Sequence, residues 1–555
     1  MLTEKQAQAS LLDWITDPDP ARGIDFARGD EWDHWPYDRL ATLAGGVAAG
    51  LRARGVRRGQ VVSIVQGAGP HFVGTLFGAM LAGAAASPIA PPMTFQDREL
   101  YRAHVSGLVR TARPALVVAD AGLLERIAEI VGDVPVLPTE EVIAAGEGAP
   151  AIRDPGELAL LQFTSGSSGH ARGVLVPYGA LAANVAAIRS WLRMTRDDAT
   201  ATWLPVHHDM GLIGCLITPV VNGSDLRQMP PEEFIRDPAR FLRCFDAGGA
   251  VLTSMPNFGL GYLARRVRPQ ALDGLDLSRL RAVIVGAERV DDQVLERFCR
   301  LLEPCGFKRR AVLPAYGLAE GTLAVTGLGL DDAWTTLRVR TSQLRLGGRA
   351  ETAAEPAGPD DARQPVIGCG TPMAGVSISV QDEDGEALDD GVVGEIVVSG
   401  DSVARGYVSG QSGSSTSIEN GRLRTGDIGF LREGQLYVLG RLGDSLKLRG
   451  RSLFAEDLEL TMHHAGVPPH RMAALLGHRS GAATVVAVFE QAQQGWVESA
   501  LELLPRHAEG AEVVLVSAPR GSIARTSSGK PKRRQLWQAF VNDRLPGTVI
   551  TGGTP

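Results

Sequence analysis

The sequence predicts an α/β protein built from doubly wound sheets and divided into more than one domain. Two observations lead to this prediction. Short runs of β-branched residues alternate with segments of helical periodicity over much of the chain, which is typical of parallel sheets covered by helices on both faces. At 555 residues the chain is too long for one hydrophobic core, so we expect it to split into at least two domains.

The alternation can be followed in order through two stretches of the chain. The first stretch begins with a helix within residues 37–57, which stops at Gly55, and continues with the strand GQVVSIV. A helix over Phe72–Leu81 and a strand over Ala84–Ile89 follow. A helix around Leu100–Thr111 and the strand ALVVAD end this stretch. The second comprises the strand ATATWLP, a helix over Leu212–Val220, the strands AVLTSMP and RAVIVGAE, and a helix over Asp291–Leu302. Both stretches therefore favour parallel sheets.

The rest of the chain departs from this alternation. Residues 331–365 are polar and rich in Gly, Ala and Pro, and we predict an inserted, partly irregular segment there. After it, VSISVQDEDGEAL and VGEIVVSG are typical of hairpin strands around DEDG. Near Gly440 the composition changes to a smaller α+β unit, with a helix over Lys532–Asn542 and a frayed tail, TVITGGTP. We therefore expect an N-terminal domain over residues 1–440 and a C-terminal domain over residues 444–555.

Composition and charge argue against several classes of protein. The hydrophobic content of 44% and charged content of 21% are those of a soluble globular protein, and the net charge of −7 does not suggest nucleic-acid binding. The five cysteines are scattered and lack metal-ligand spacing, which favours a reducing cytoplasm. The N-terminus lacks a signal-peptide pattern, and the apolar run Val73–Ala90 is interpreted as a buried helix followed by a strand rather than a membrane span.

The stretch LQFTSGSSGHARGV, from Leu161 to Val174, is the first candidate functional motif. Apolar residues flank it on both sides, which predicts two strands joined by a tight loop. Glycines let backbone N–H groups approach a ligand, and hydroxyls add further donors, so the loop could bind an anion. Its spacing is not that of a Walker A loop. A hairpin turn without a ligand is the alternative for such a loop taken alone.

Five later motifs favour the anion-binding interpretation. They are GAE at Gly286, AYGLAEGT at Ala315, RTGDIG at Arg424, GRLGDSLKLRG at Gly440 and RTSSGK at Arg525. In this order, with the loop, they resemble the acyl-adenylate-forming superfamily of acyl-CoA synthetases, luciferases and adenylation domains. Within it, ATWLPVHHDMGLIG, MPPEEFIRDPARFLRCF, TSMPNFG and CGFKRRAVLPAYGLAEGTLAV are most similar to the fatty acyl-AMP ligases, which carry an insertion where residues 331–365 lie.

The resemblance implies a fold, a reaction and cofactors. The fold would be a large N-terminal domain of doubly wound sheets with a small β-barrel subdomain, followed by a smaller, mobile α+β C-terminal domain. The reaction would be attack of a carboxylate on the α-phosphate of ATP, with Mg²⁺ as cofactor, giving acyl-AMP and pyrophosphate. Because negative charge grows on the phosphoryl oxygens, such a site needs fixed cations and hydrogen-bond donors.

For the phosphates, the resemblance implies a cradle and a metal site. The cradle would consist of Thr164, Ser165, Gly166, Ser167, Ser168 and Gly169. Arg172 stands where the family usually has Lys, and it keeps the positive charge in a planar fork. Glu320 would hold Mg²⁺ with Thr164 as a second contact, although a surface carboxylate at a helix start is the alternative for Glu320.

For the nucleoside, the resemblance implies a pocket and two ribose contacts. The pocket would be formed by Gly286, Ala287, Glu288, Tyr316, Gly317 and Leu318. The ring of Tyr316 would stack on adenine, although ordinary core packing explains this residue almost as well. Asp427 would accept both ribose hydroxyls and Arg441 would contact ribose or phosphate; a turn carboxylate and a solvated strand-end charge are the alternatives.

Lys530 and Gly443 are the candidates in the C-terminal domain. Lys530, in RTSSGK, resembles the lysine that bridges the substrate carboxylate and the α-phosphate, whereas charge alone would make it part of the solvated run KPKRR. Relatives rotate this domain after adenylation about a residue that corresponds to Gly443. Because glycine absorbs large changes in φ and ψ, we predict that the rotation is permitted here.

The acyl pocket and the thiol acceptor are less well defined by the sequence. His208, Asp209 and Asn257 lie where the superfamily lines its acyl pocket, and Asp209 leaves an amino-acid substrate open. Fatty acyl-AMP ligases pass the acyl group to the phosphopantetheine of an acyl carrier protein, and their insertion disfavours free CoA. The alternatives are a CoA ligase and a catalytically silent relative, and the motifs leave the identity of the acid open.

Overall fold

The structure, a computed structural model, describes most of the chain. The described residues are 3–92, 98–144, 156–164, 171–340, 344–352, 363–408, 415–448, 451–508, 510–526 and 529–553. Within them, strands and helices alternate over the first 330 residues as predicted, and the α/β fold class is confirmed.

The largest sheet has nine strands and a parallel centre. In spatial order they are Thr371–Pro372, Ala324–Gly327, Val312–Gly317, Ala282–Gly286, Leu252–Pro256, Thr200–Thr202, Leu226–Gln228, Gly23–Arg28 and Glu31–Pro36. The strands from Val312–Gly317 to Gly23–Arg28 are parallel, and antiparallel strands close both edges. The parallel strands therefore end at one edge of the sheet, where ligand sites of doubly wound folds lie.

A seven-stranded sheet forms the second layer. In spatial order its strands are Gly406–Tyr407, Gly173–Pro177, Leu158–Phe163, Ala85–Pro88, Val61–Val65, Leu116–Ala119 and Val136–Leu137. The last five strands are parallel, and the first two join antiparallel. The strand and helix predicted from the apolar run Val73–Ala90 are confirmed, because the helix Pro70–Leu81 is buried almost throughout and precedes Ala85–Pro88.

Helices cover both faces of the two sheets. The helices of this part of the chain are Glu4–Thr16, Tyr37–Ala53, Pro70–Leu81, Arg98–Ala112, Leu124–Val131, Thr139–Ala144, Tyr178–Trp191, Met210–Ile217, Thr218–Asn222, Pro231–Arg236, Pro238–Arg243, Asn257–Arg266 and Asp292–Leu302. Single 3₁₀ turns lie at Ala121–Leu123, Pro269–Leu272, Glu303–Cys305, Arg309–Ala311 and Ala319–Gly321. The predicted helix Leu212–Val220 is instead a π-helix, Met210–Ile217, that continues as the short α-helix Thr218–Asn222. No helix among the described residues combines the length and apolar character needed to cross a bilayer.

A five-stranded antiparallel sheet follows, as the resemblance to a small barrel implied. Its strands are Val376–Gln381, Gly394–Gly400, Ser417–Glu419, Arg422–Arg432 and Gln435–Arg441. The hairpin predicted around DEDG is confirmed by the antiparallel pairing of the first two strands.

The prediction of an irregular segment over residues 331–365 is partly wrong. Thr336–Arg340 pairs antiparallel with Arg363–Ile367, because Val339 and Val366 bury their side chains in a cluster with Phe430 and Tyr437. Residues 341–343 and 353–362 of the segment lie outside the described residues.

The C-terminal unit has its own sheet and its own apolar clusters. Its strands are Ser445–Leu448, Arg451–Phe454, Met472–Arg479, Ala482–Glu490, Glu512–Ala518 and Thr548–Gly553. Its helices are Ala455–His464, Gln494–His507 and Arg533–Val541. Single 3₁₀ turns lie at Leu442–Asp444 and Pro469–Arg471. The prediction of a frayed tail is wrong for Thr548–Gly553, which pairs with Glu512–Ala518 because that strand offers an open edge to a β-branched segment. The domain boundary between residues 440 and 444 stays a prediction.

Candidate active site

A polar cavity lies where the carboxyl ends of the nine-stranded sheet face the five-stranded sheet and the C-terminal unit. Its volume is about 260 Å³. Its wall contains many of the residues singled out in the sequence: Thr164, Arg172, His208, Asp209, Ala287, Glu288, Tyr316, Gly317, Leu318, Glu320, Asp427, Arg441 and Lys530. The fold therefore brings motifs that are far apart in the chain to one enclosure.

Glu320 and Arg172 form a buried ion pair on one side of this cavity. Glu320 lies in a 3₁₀ turn and is only 3% exposed, so the alternative of a surface carboxylate is wrong. Its Oε1 accepts hydrogen bonds from Arg172 Nη2 at 3.2 Å and from the Tyr407 hydroxyl at 2.7 Å. The guanidinium of Arg172 also stacks 3.9 Å from the centroid of the Tyr407 ring. Arg172 therefore neutralises Glu320 while its planar group is fixed by the aromatic ring.

The predicted phosphate loop is described only at its ends. The Thr164 backbone N–H donates to the Arg172 carbonyl at 2.9 Å, and the Thr164 hydroxyl accepts from the Arg172 N–H at 3.4 Å. These bonds extend the antiparallel pairing of Leu158–Phe163 with Gly173–Pro177, so the two predicted flanking strands are confirmed. The intervening residues Ser165, Gly166, Ser167, Ser168 and Gly169 lie outside the described residues, and their role stays a prediction.

Asp427 and Arg441 face each other on neighbouring strands of the five-stranded sheet. Arg441 Nε donates to Asp427 Oδ1 at 3.0 Å, and the Tyr316 hydroxyl donates to Asp427 Oδ2 at 2.7 Å. The Asp427 carboxylate raises the pKa of Arg441, and burial raises the pKa of Tyr316 well above its usual value. A fixed carboxylate with these two hydrogen-bonding neighbours on this wall fits the predicted ribose contact better than an isolated turn residue. Tyr316 belongs to the cavity wall rather than to the core alone.

The GAE motif forms the turn between the sheet edge and the rest of the cavity. Ala287 has a φ of +66°, in the left-handed region that non-glycine residues rarely adopt, which is common at functional sites. The carboxylate of Glu288 accepts the Phe258 backbone N–H, and burial raises the pKa of Glu288 despite this bond and the nearby Lys530 charge. Gly317 leaves no room for a side chain, since a Cβ there would lie 2.0 Å from the Leu323 carbonyl oxygen.

Lys530 reaches the same cavity from the C-terminal unit. Its backbone N–H donates to the Thr526 hydroxyl at 3.1 Å, and its carbonyl accepts the Thr526 N–H at 2.8 Å, which closes a tight loop before the helix Arg533–Val541. The charge of Lys530 is close enough to Glu288 and Asp209 to favour the ionised form of both carboxyl groups. The ammonium therefore faces an acidic wall of the N-terminal part, not bulk solvent alone.

A second, narrower cavity adjoins the polar cavity. Its volume is about 80 Å³, and Asp209, Ala287, Ala315, Tyr316 and Gly317 line both cavities. Apolar side chains make up much of its wall, among them Ile188, Trp191, Leu192, Met194, Leu252 and Ile284. We call it the acyl cavity.

The three residues predicted for the acyl pocket occupy different positions. Asp209 lines both cavities, and its Oδ1 accepts from Met210 N at 2.8 Å and contacts His208 Nδ1 at 3.1 Å. Burial opposes ionisation of Asp209, but these two hydrogen bonds, together with electrostatic attraction to His208 and Lys530, outweigh burial and lower its pKa. His208 lines only the polar cavity. Asn257 lines neither, and its amide oxygen instead accepts the Asp291 N–H at 3.1 Å.

Two contacts join the N-terminal part to the helix Ala455–His464 of the C-terminal unit. Arg289 forms an ion pair with Asp457 and donates to the Pro365 carbonyl at 3.3 Å. His464 Nε2 lies 3.2 Å from each carboxylate oxygen of Asp291. The predicted hinge, Gly443, lies between these units in the turn Leu442–Asp444, and a Cβ there would meet only the Ser415 hydroxyl, at 3.8 Å.

Sequence reasoning missed several residues of the site. Arg289, Thr416, Asp444 and Arg533 line the polar cavity, and Tyr407 supports Glu320. Arg289 directly follows GAE and Asp444 directly follows the predicted hinge, so adjacency to motifs could have indicated both. Tyr407 carries no such signal, because its place beside Glu320 depends on the long-range pairing of Gly406–Tyr407 with Gly173–Pro177.

Comparisons with known proteins agree with this site. Residues 18–408 match the family model described as AMP-binding enzyme, and the chain belongs to that family. It is an acyl-adenylate-forming ligase, and the predicted resemblance is confirmed. A putative acyl-CoA synthetase of Caulobacter vibrioides is 31% identical over 96% of this chain and 94% of its own length.

Two further matches extend the comparison to a curated ligase and to a solved structure. The medium-chain-fatty-acid–[acyl-carrier-protein] ligase JamA of Moorena producens is 30% identical over 92% of this chain and 90% of its own length. A structure from a study of fatty acyl-adenylate ligases of E. coli and L. pneumophila superimposes with a TM-score of 0.88 at 27% identity, covering 97% of this chain and 98% of the other. The large N-terminal and small C-terminal domains implied by the resemblance agree with this match.

Proposed function

We propose that this enzyme activates a carboxylic acid with ATP and transfers the acyl group to the phosphopantetheine thiol of an acyl carrier protein. The observation that carries the proposal is the junction of the two cavities. A polar enclosure with Arg172, Arg441 and Lys530 on its wall adjoins a largely apolar one and shares five wall residues with it. An acid whose tail lies in the acyl cavity therefore presents its carboxylate to the nucleotide.

In the first step, a carboxylate oxygen attacks the α-phosphorus of ATP, the bond to the bridging oxygen breaks, and pyrophosphate leaves. Two negatively charged reactants must meet, and charge moves onto the pyrophosphate. In this proposal Lys530 neutralises the carboxylate and the α-phosphate, and Arg172 faces the departing phosphates; both residues line the polar cavity. Preorganised cations in an enclosed site act more strongly than in water, because the local dielectric constant is low.

Asp427, Tyr316 and Arg441 position the nucleoside in this proposal. The Asp427 carboxylate accepts hydrogen bonds from both neighbours, so its orientation is already fixed before a ribose hydroxyl arrives. A fixed acceptor loses little conformational entropy on binding. Tyr316 would then lie beside the base, since its ring lines the enclosure from the end of the strand Val312–Gly317.

Mg²⁺ fits the residues near Glu320. Among the described residues, the two hydrogen bonds to this carboxylate end on Oε1, so Oε2 can serve as a ligand alongside the Thr164 hydroxyl. One carboxylate with phosphate oxygens and water is a donor set that Mg²⁺ prefers. When bound, the ion would neutralise the β- and γ-phosphates, while Arg172 holds Glu320 in place.

The hairpin within the insertion supports a carrier protein as acceptor. The Ser452 N–H of the C-terminal unit donates to the Leu344 carbonyl at 2.8 Å, and Phe454 packs in the cluster formed by Val339, Leu344 and Val366. An insertion that contacts the small unit fits the behaviour of fatty acyl-AMP ligases, and the similarity to JamA points the same way. Transfer to free CoA is the second candidate, and the similarity to a putative acyl-CoA synthetase favours it.

The test separates the two steps. Purified enzyme with ATP, Mg²⁺ and a panel of acids should give acyl-AMP by mass spectrometry and acid-dependent exchange of radiolabelled pyrophosphate into ATP. Addition of a phosphopantetheinylated carrier protein should consume the adenylate and give a thioester, whereas free CoA should not. Thioester formation with CoA but not with carrier protein would overturn the proposed acceptor, and absence of exchange with every acid would overturn the activity.

A further inference from the structure

We propose that the acyl cavity selects a carboxylic acid whose tail carries a neutral hydrogen-bonding group, a hydroxyl or a carbonyl, and that Ser254 recognises this group. The inference rests on the proposed function and specifies its substrate class. It is carried by the strand register beneath the acyl cavity and by the partners of the Ser254 hydroxyl.

The register of two parallel strands places the Ser254 side chain on the floor of the acyl cavity. Leu252–Pro256 pairs with Ala282–Gly286, with Ser254 beside Ile284. Neighbouring residues in register on parallel strands direct their side chains to the same face, and Ile284 lines the cavity. The Cys215 thiol, on the π-helix above this face, lies within hydrogen-bonding reach of Ser254.

Successive side chains of a strand are directed to opposite faces of the sheet, so Ser254 and its neighbour Thr253 differ in direction. Thr253 pairs with Val283, so the Thr253 side chain is directed to the opposite face of the sheet. Thr253 is buried and its hydroxyl has no hydrogen-bond partner among the described residues. Thr253 also borders the acyl cavity, but the alternation of the strand directs its hydroxyl away from the face that carries Ser254.

The Ser254 hydroxyl keeps unused hydrogen-bonding capacity. A serine hydroxyl has one donor and two acceptor positions. Within the described part of the chain its side-chain partner is the Cys215 thiol, and burial raises the pKa of this thiol, so the partner is a neutral, weakly polar group. Ser254 is 8% exposed and lines the acyl cavity. A plain alkyl tail would remove any water there and leave the hydroxyl poorly satisfied, whereas a tail hydroxyl or carbonyl would pair with it.

The register of the strands also gives the distance along the acyl cavity at which Ser254 lies. The cavity runs along the strands from Gly286 at their carboxyl end to Leu252 at their start. Four residues of parallel strand span roughly 13 Å, so Ser254 lies about halfway, at roughly 6.6 Å. Five to six bonds of an extended chain cover approximately this distance, so the matching group belongs near carbon 6 or 7 of the acid.

One wall of the acyl cavity is held in place by its own contacts. It is the Trp191 indole, whose Nε1 donates to the Leu328 carbonyl at 2.7 Å. The indole also lies against Gly327, where a Cβ would approach it to 2.3 Å, so it has little freedom to move away.

An amine is a poor match for the cavity. The one carboxylate on its wall, among the described residues, is Asp209, and its Oδ1 is engaged by His208 and Met210 N–H. A protonated amine in the tail would therefore be buried beside a neutral hydroxyl and a neutral thiol, which does not compensate the loss of hydration. The selected group is neutral.

The experiment compares matched pairs of acids. Hexanoic acid is paired with 6-hydroxyhexanoic acid, and octanoic acid with 7-oxooctanoic acid, and kcat/KM for pyrophosphate exchange is measured for each. The native enzyme should prefer the substituted acid of each pair by about tenfold. Ser254→Ala should bring both ratios close to 1, and Thr253→Val, the matched control on the opposite face, should leave them as in the native enzyme.

Equal kcat/KM values within each pair for the native enzyme would overturn the inference, as would a preference that survives Ser254→Ala. The ratio is informative because a merely structural role of Ser254 would lower both acids of a pair together. Exchange without preference overturns only this inference, whereas absence of exchange with all four acids and the wider panel would overturn the proposed function with it.

Discussion

The two adjoining cavities are defined in different ways. The wall of the polar cavity comes from segments that carry recognisable motifs, and its charged groups hold each other in place: Arg172 with Glu320, and Arg441 with Asp427. The acyl cavity is lined by residues such as Ile284 and Trp191, whose identity only reflects a buried apolar position. The first cavity can be predicted from residue chemistry, whereas the second requires the register of the sheet.

The comparison leads to an expectation about mutations. Changes in the polar cavity should affect every acid alike, because they alter the reaction of the carboxylate with the nucleotide. Changes in the acyl cavity should alter the ranking of acids and leave the KM for ATP as it is. The following predictions test this division, starting with the largest effect.

Lys530→Ala should lower acyl-AMP formation by about 100- to 1,000-fold, because removal of one preorganised charge-stabilising group costs that much in comparable sites. The loss should be the same factor for hexanoic and octanoic acid. Pyrophosphate exchange measures it. Arg534→Ala, at an exposed position four residues further on, is the control and should retain native activity. A variant lacking Lys530 that activates either acid normally would contradict the role of this residue.

Gly443→Pro should spare pyrophosphate exchange and lower thioester formation by about 100-fold, since a small misplacement of reacting groups has an effect of this size. Proline fixes φ at the position about which we predict the C-terminal unit rotates. Single-turnover consumption of preformed acyl-AMP by carrier protein measures the second step alone. Equal loss of both steps would contradict the hinge and indicate a defect in the closed arrangement.

Asp427→Ala should raise the KM for ATP about tenfold and leave the KM for the acid unchanged. The variant removes the acceptor proposed for the ribose, and a hydrogen bond to a charged group contributes roughly 1.5–3 kcal/mol. Steady-state kinetics with each substrate varied in turn measure the effect. Asp401→Ala, at an exposed carboxylate in the turn that follows the strand Gly394–Gly400, is the control. A change in the ranking of acids would break the division between the cavities.

Protonation of His207, the residue before His208, should make the free energy of unfolding depend on pH. Burial, with the neighbouring His208 and His104, lowers the pKa of His207 from its usual value of 6.5 to about 3. The unfolded chain therefore binds a proton between these values that the folded chain does not, so stability is full above pH 6.5 and falls as the pH decreases towards 3. At pH 5 the loss from this group is at most about 2 kcal/mol. Melting temperatures at pH 7.5 and 5 should converge in His207→Gln, and an unchanged difference would contradict this origin.

Much of the site could be predicted from the sequence because its chemistry restricts residue type. Asp427, Glu320 and Lys530 lie in motifs whose charges have few substitutes, and the structure places all three on one wall. Asn257 lies in a motif as well, but its amide is used to join two helix starts through Asp291 N–H. A motif therefore indicates that a segment is near the site, not that each of its side chains faces it.

The errors in the fold have a common physical cause. The tail Thr548–Gly553 and the hairpin at Thr336–Arg340 both gain their strand structure from a partner far away or across a long insertion. Local composition cannot indicate such pairing, since β-propensity depends strongly on tertiary context. The same holds for Tyr407, whose hydroxyl reaches Glu320 only after two distant strands pair.

The contacts of Arg289 with Asp457 and of Asp291 with His464 have a consequence for the timing of catalysis. A rotation of the C-terminal unit would have to separate both pairs in every cycle and re-form them afterwards. Dissolved salt screens buried pairs much less than exposed ones, and both of these pairs are largely buried. The cost of separating them would thus limit how soon the enzyme leaves its adenylating arrangement, with little dependence on the ionic strength of the surroundings.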